Sequence, residues 1–134
     1  MAAIARRVLF GLLFAPNETT LRDVLAQMAT DLSAGNVSGF LKATVAEMPG
    51  RDALRQQLAG LTAAYDVTSS LQVMGSSGDD ARQMLEVDWY LGARSRTDNA
   101  VMLQRRETLK IGMVLKGKRW MVESIQPLEF FNYS

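Results

Sequence analysis

Two charged residues interrupt the apolar side of a predicted β-strand, and they are the first candidates for chemistry. Apolar residues alternate along residues 100–115, but Arg105 and Glu107 occupy two positions of that phase. If the alternation holds, both face the interior, where a charge costs several kcal/mol unless it is paired. They could then meet each other or a ligand, and a buried Glu107 or Glu123 with a raised pKa could move a proton next to Arg105. The alternative is a β-bulge near residues 105–106, which would send both charges to solvent.

A second set of titratable side chains lies on the preceding predicted strand, residues 81–93. Glu86, Asp88 and Tyr90 share one face of it, and paired carboxylates act as acid and base when their environments separate their pKa values. Their phase is opposite to the apolar phase of the strand, so we expect them on the outer face of the sheet, in solvent or in an interface.

The same outer face also carries apolar residues, which favours a partner over bulk water. A homodimer through this face is the natural hypothesis. Scattered exposed apolar residues, which are common on protein surfaces, are the alternative. The predicted interface residues are Met84, Tyr90, Met102, Val114, Met121 and Ile125.

Composition excludes several classes of chemistry. The 134 residues fit one domain, and 48% apolar with 22% charged residues is ordinary for a globular protein. The chain has no Cys and no His, which excludes thiol nucleophiles, disulfides, zinc sites built on these residues and every mechanism that needs an imidazole. Fifteen basic and 14 acidic residues leave a net charge of +1, so we expect no nucleic-acid partner. We predict no metal site and no cofactor.

The hydrophobic periodicity predicts an α+β fold. Helical spacing predicts a helix from Thr19 to Ala34, then helices over Val37–Glu47 and Arg51–Tyr65. The period then changes to two, and short turns between the strands imply an antiparallel meander with the helices on one side. The predicted strands are residues 66–74, 81–93, 100–115 and 118–125.

The N-terminal segment, residues 1–18, is treated apart from the domain of residues 19–134. It begins MAAIARRVLFGLLFA, in which two arginines precede a short apolar run. This pattern is typical of a secretory signal, although Pro16 and Leu13 make a poor cleavage site. The alternative is an amphipathic or buried helix that docks on the domain. The protein is therefore expected to be cytoplasmic, or exported if residues 1–15 are a signal remnant. The run is too short for a membrane span, which needs about 20 apolar residues.

From about Thr19 to Pro127, the sequence resembles the NTF2-like superfamily, also called SnoaL-like or ketosteroid-isomerase-like. Three segments carry the resemblance: DLSAGNVSGFLKA, where a long helix turns into a short one; the long hairpin MLEVDWYLGAR…VMLQRRETLKIGMVL; and KGKRWMVESI, which is similar to the closing strand of the family. The resemblance implies three N-terminal helices packed in the concave face of a curved antiparallel sheet, a conical pocket, and dimers through sheet faces. A small apolar or amphipathic ligand would suit such a pocket. The predicted pocket residues are Phe40, Tyr65, Trp89, Arg105, Glu107 and Trp120.

The catalytic sets of the family are incomplete in this chain. The resemblance would place an oxyanion-hole Tyr on the first helix, but residues 19–34 contain no Tyr. Other branches rely on His, or on an Asp–Arg–Asp arrangement in which Arg105 has only Glu107 and Glu123 as imperfect partners. We therefore predict no catalytic residues and a non-catalytic domain that binds a small ligand, dimerises, or both. The alternative is a small-molecule isomerase, dehydratase or hydrolase that uses a buried carboxylate and Arg105.

Overall fold

The order of helices and strands agrees with the sequence prediction. The computed structural model of the protein describes residues 16–133, so both interpretations of residues 1–15 lie outside the described part. Three helices precede four strands that form one antiparallel sheet in the order β1-β2-β3-β4, and the α+β prediction is confirmed. The elements are α1 (Pro16–Ser33), α2 (Val37–Lys42), α3 (Arg51–Ala64), β1 (Tyr65–Gly78), β2 (Arg82–Ser95), β3 (Val101–Lys116), β4 (Arg119–Gln126) and a closing 3-10 helix (Leu128–Phe131).

The helices pack on the inner face of the curved sheet through apolar residues at helical spacing. On α1, Leu25, Met28 and Leu32 are fully buried, as are Leu58 and Leu61 on α3. This spacing puts the side chains on one stripe, so burying the stripe against the sheet forms the core. Within the described residues, no helix has the length and apolar content needed to cross a membrane.

Helix α2 is shorter than predicted. It ends at Lys42 rather than near Glu47. The reason is a competing backbone pairing: the Val122 N–H donates to the Ala43 carbonyl at 2.7 Å, and the Val45 N–H donates to the Val122 carbonyl at 2.9 Å. Residues 43–45 thus run beside β4, and the chain cannot remain helical while these groups bond to a strand.

Strand β1 is longer than predicted, because its pairing with β2 continues through the polar residues 75–78. A register shift between Val73 and Gly75 separates the two halves of the strand. The turn that follows is therefore shorter than residues 75–80, the gap between the two predicted strands. In this turn the Asp79 carboxylate accepts hydrogen bonds from the N–H groups of Ala81 and Arg82.

A second register shift, between β3 and β4, corrects one predicted interface residue. Gly112 pairs with Ser124 but Met113 pairs with Val122, so one extra residue of β4 breaks the alternation. Beyond this bulge Ile125 pairs with Ile111 on the inner face and is 5% exposed. The prediction that Ile125 lies on the outer face is therefore wrong, since simple alternation does not survive a bulge.

Candidate functional site

Arg105 and Glu107 both lie on the inner face of the sheet. Leu91 pairs with Arg105 and Trp89 with Glu107, without a register shift between these pairs. Directly opposite residues share a face, so both charges lie on the side of buried Trp89. The alternative of a bulge near residues 105–106 is wrong, since the shift in this strand pair lies beside Ala93 and Arg94.

The two charges do not form a joint site. Arg105 is half-buried, and its Nη1 donates to the carbonyl oxygens of Phe130 at 2.7 Å and Asn132 at 2.6 Å. Glu107 is exposed, and within residues 21–133 no ion pair joins it to Arg105. Arg105 therefore fixes the C-terminal segment of the chain, and Glu107 does not supply the buried carboxylate of the enzymatic alternative.

The C-terminal segment inserts two aromatic rings between the helices and the sheet. Phe131 lies 5.7 Å from Phe40, 5.3 Å from Trp89 and 5.1 Å from Phe130 between ring centroids, each pair close to edge-on. Trp89 is completely buried and its Nε1 donates to Ser69 Oγ at 2.8 Å. We call Phe40, Trp89, Phe130 and Phe131 the central cluster. Edge-to-face geometry and a partner for the indole N–H are what a stable aromatic core requires.

Tyr65 extends these contacts to the end of the tail. Its ring packs edge-on against Tyr133 with centroids 6.1 Å apart. Four of the predicted pocket residues, namely Phe40, Tyr65, Trp89 and Arg105, thus surround residues 130–133 of the same chain. The interior space expected around them is occupied by the C-terminal segment.

A cavity remains beside this filled region, between α1, α2 and the start of β4. It has a volume of about 250 Å³, which corresponds to about eight water molecules at their liquid volume. Of the predicted pocket residues, Trp120 borders it. We call this space the α1–α2 cavity; its lining residues are Val24, Gln27, Met28, Asp31, Gly39, Lys42, Ala43, Arg119 and Trp120.

Trp120 carries a buried hydrogen-bond donor that lacks a partner. The residue is 2% exposed, and its Nε1 makes no hydrogen bond in the described part of the chain. A buried donor left in this state costs about 1–3 kcal/mol. This cost is recovered only when an acceptor reaches the donor, and the same residue lines the α1–α2 cavity.

The rim of the α1–α2 cavity is charged. Asp31 accepts a hydrogen bond from Gln27 Nε2 at 2.9 Å, and its Oδ2 lies so close to α2 that a Cβ atom on Gly39 would approach it to 2.7 Å. Lys42 and Arg119 are exposed, and neither forms an ion pair with a carboxylate of residues 21–133. The cavity therefore combines apolar lining residues with two exposed cations that have no carboxylate partner within that range.

The outer face of the sheet is mixed. Met84 and Met102 are 42% and 54% exposed, whereas Val114 is 9% exposed and Tyr90 and Met121 are half-buried. Exposed methionines favour a contact surface, although Val114 offers little area to a partner.

Ion pairs on this face argue against acid–base chemistry there. Arg106 Nη2 lies 2.7 Å from Asp88 Oδ2, and this hydrogen bond, with the charge of Arg106, lowers the pKa of Asp88 from its ordinary value. Glu123 pairs with Arg82 at 2.8 Å. Asp88 therefore stays ionised near neutral pH and is a poor proton donor.

The sequence matches no protein-family model and no curated protein, but its fold is shared with solved structures. A putative scytalone dehydratase from Novosphingobium aromaticivorans superposes with a TM-score of 0.72 at 10% identity, covering 81% of this chain and 80% of that one. A ketosteroid isomerase-like protein from Erwinia carotovora atroseptica superposes with a TM-score of 0.67 at 7% identity, covering 84% and 95%. A designed protein with NTF2 in its name gives a TM-score of 0.60 at 12% identity, covering 81% and 96%. This chain has the NTF2-like fold.

Within this NTF2-like fold, sequence reasoning missed most of the α1–α2 cavity. Gln27 and Asp31 are four residues apart beside the buried stripe of α1, but their spacing is equally typical of a solvated helix face. Their relation to Lys42 and Arg119 depends on how α2 and the β3–β4 turn approach α1, which periodicity does not determine. The C-terminal segment is easier to recognise as part of the core, because residues 130–133 contain three aromatic rings.

Proposed function

We propose that this NTF2-like domain binds a small molecule in the α1–α2 cavity without transforming it. The observation that carries the proposal is the buried Trp120 N–H, which lacks a partner beside a cavity of about 250 Å³. A concave site that combines apolar walls with a few polar groups is the usual form of a small-ligand site, and this cavity combines apolar residues with Gln27 and three charged side chains.

The absence of an acid–base set supports binding rather than catalysis. Among the described residues, Arg105 Nη1 bonds to two backbone carbonyls, Asp88 pairs with Arg106, and Glu123 pairs with Arg82. A general acid or base needs a shifted pKa and access to the substrate, and none of these groups offers both. The enzyme-like names of the two structural neighbours describe those proteins; for this chain they support only a fold that accommodates small ligands.

Proton–nitrogen NMR of the indole groups tests the proposal directly. The chain has two Trp residues, so it gives two indole N–H signals, and Trp89→Phe and Trp120→Phe each remove one of them. We expect carbonyl-containing fragments that bind to move the Trp120 signal and leave the Trp89 signal, because Trp89 already donates to Ser69. A screen in which no fragment moves the Trp120 signal overturns the proposal.

A matched pair of variants locates the binding. Ala43→Leu places a larger side chain in the α1–α2 cavity and should abolish the response to fragments. Ala63→Leu adds the same side chain at an exposed position of α3 and should leave the response unchanged. Binding that survives Ala43→Leu would place the ligand elsewhere.

We also propose a homodimer through the outer face, on the evidence of its exposed methionines. Met84 lies over Gly112, with its Cε 3.6 Å from where a Cβ would stand, so its side chain covers the middle of the sheet. Met84→Lys should shift sedimentation at micromolar concentration towards monomer, and Ala63→Lys, which adds the same charge on α3, should not. A wild-type protein that is monomeric under these conditions contradicts the dimer.

A further inference from the structure

We infer that the ligand of the α1–α2 cavity is an amphipathic organic carboxylate. The inference rests on the small-molecule site proposed above and adds the chemical class of its ligand. It depends on three features of the cavity: the charges at its rim, the apolar residues of its floor and the donor of Trp120.

The balance of charge at the rim favours an anion. Lys42 and Arg119 contribute two positive charges without a carboxylate partner among residues 21–133. Asp31 contributes one negative charge, and part of its hydrogen-bonding capacity is used by the Gln27 amide. The rim therefore has a net charge of +1, and a bound carboxylate would neutralise it.

The floor of the cavity favours an apolar body. Val24 and Met28 are one turn apart on α1, and together with the Trp120 ring they form the apolar part of the lining. A volume of about 250 Å³ accommodates a small organic molecule such as a ring with a short chain. A bare inorganic anion would leave the floor without a contact.

The Trp120 N–H lacks an acceptor in the described chain and its residue lines the cavity, so a ligand acceptor that reached it would remove the cost of the unpaired donor. A carboxylate oxygen is a strong acceptor, and a hydrogen bond to a charged group is stronger than one between neutral groups. A cationic ligand offers Trp120 no acceptor and faces Lys42 and Arg119, so the cavity is expected to reject it.

Three probes of nearly equal size separate these possibilities: 4-phenylbutyrate, 4-phenylbutyramide and 4-phenylbutylamine. We would titrate each into the 134-residue chain and follow the Trp120 and Trp89 indole N–H signals. We expect the carboxylate to bind about tenfold more tightly than the amide and the amine to bind most weakly. Higher salt should weaken binding of the carboxylate and leave binding of the amide unchanged.

Variants of the rim test the cause of the preference. The double change Lys42→Ala with Arg119→Ala should lower the affinity for the carboxylate far more than the affinity for the amide, and so remove the preference. Lys118→Ala is the control, because it removes an exposed cation of the same hairpin that does not line the cavity.

The outcomes distinguish this inference from the proposed function. Equal binding of carboxylate and amide, both moving the Trp120 signal, overturns the carboxylate class and leaves the small-molecule site standing. Preferential binding of the amine also overturns it and makes Asp31 the dominant charge. If no probe moves the Trp120 signal although other fragments do, only the carboxylate class fails; if nothing moves that signal, both proposals fail.

Discussion

The two tryptophans of this domain occupy regions that differ in one respect. Trp89 lies in the central cluster, where Phe131 packs against its ring and Ser69 accepts its N–H. Trp120 is almost equally buried beside the α1–α2 cavity, but its N–H has no acceptor in the described chain. The difference teaches that a concentration of aromatic residues alone does not mark a binding site. An interior region whose polar groups all have partners and whose space is filled belongs to the core. A region with an unpaired hydrogen-bond donor and unfilled volume is the better candidate for a binding site.

The largest effect on stability is expected from removing an aromatic ring of the central cluster. Phe131→Ala removes a completely buried ring from the central cluster and should lower the free energy of unfolding by about 3–5 kcal/mol, measured by urea denaturation. Phe131→Leu, which keeps most of the volume, should lose less. Benzene added to Phe131→Ala should then move the Trp89 indole signal rather than that of Trp120, because the new space lies beside Trp89. A response at Trp120 alone would break the comparison.

The next effect concerns the residue that fixes the tail. Arg105→Ala removes two charge-assisted hydrogen bonds to the carbonyls of Phe130 and Asn132 and should cost about 1.5–3 kcal/mol. Hydrogen exchange should accelerate in residues 128–133 in particular. Arg106→Ala is the matched control, because its partner Asp88 lies on the outer face and exposed ion pairs contribute little. Equal losses for the two variants would mean that Arg105 does not hold the tail.

Replacing each tryptophan by Phe in turn compares the two regions directly. Both Trp89→Phe and Trp120→Phe remove the same part of a buried ring, but only Trp89→Phe deletes a satisfied hydrogen bond, the one to Ser69. Trp89→Phe should therefore cost about 1–3 kcal/mol more than Trp120→Phe. Both are read from urea denaturation of the ligand-free protein. Similar costs would show that the Trp120 N–H is satisfied in solution.

The smallest effect on stability is expected from lowering the pH, which protonates carboxylates that lie outside the central cluster and the α1–α2 cavity. The hydrogen bond from Arg106 lowers the pKa of Asp88 below its ordinary value of 3.8, and backbone N–H groups lower the pKa of Asp79 in the same direction. Because these pKa values are lower in the folded state, their stabilisation is present above the ordinary value and is lost as the pH falls through the folded values. Melting temperatures measured from about pH 5 down to about pH 2 should therefore fall less steeply for Asp88→Asn than for the wild type. Identical slopes would contradict the ion pair.

The fold could be predicted because its signals are local and repeated. A change of period from helical to alternating fixes the order of helices and strands, and short turns fix the antiparallel pairing. The ends of α2 and β1 were harder to predict, since they depend on which backbone groups find hydrogen-bond partners in the folded chain. The predicted face of Ile125 is wrong for a related reason. A single extra residue in β4 reverses the alternation of inner and outer positions, and the local sequence contains no pattern that indicates such a bulge.

The candidate site was only partly predictable. Trp120 was named as a pocket residue and borders the α1–α2 cavity, whereas Phe40, Tyr65, Trp89 and Arg105 were named and surround the tail instead. Their inward direction follows from periodicity, but what fills the space in front of them depends on a segment 25 or more residues away from Arg105 along the chain. Long-range packing of this kind has no short-range sequence pattern.

The short pairing of residues 43–45 with Val122 also bears on how the edges of the sheet are protected. Both backbone groups of Val122 are engaged there, and on the opposite edge strand the N–H and carbonyl of Ser69 both bond to the Ser33 hydroxyl. Unpaired edge groups are the template on which foreign strands add and fibrils grow. Both edge strands, β1 and β4, therefore have backbone groups near their middle that bond to the helical part of the same chain. A foreign strand could add at these positions only after α1 or the segment following α2 had moved away.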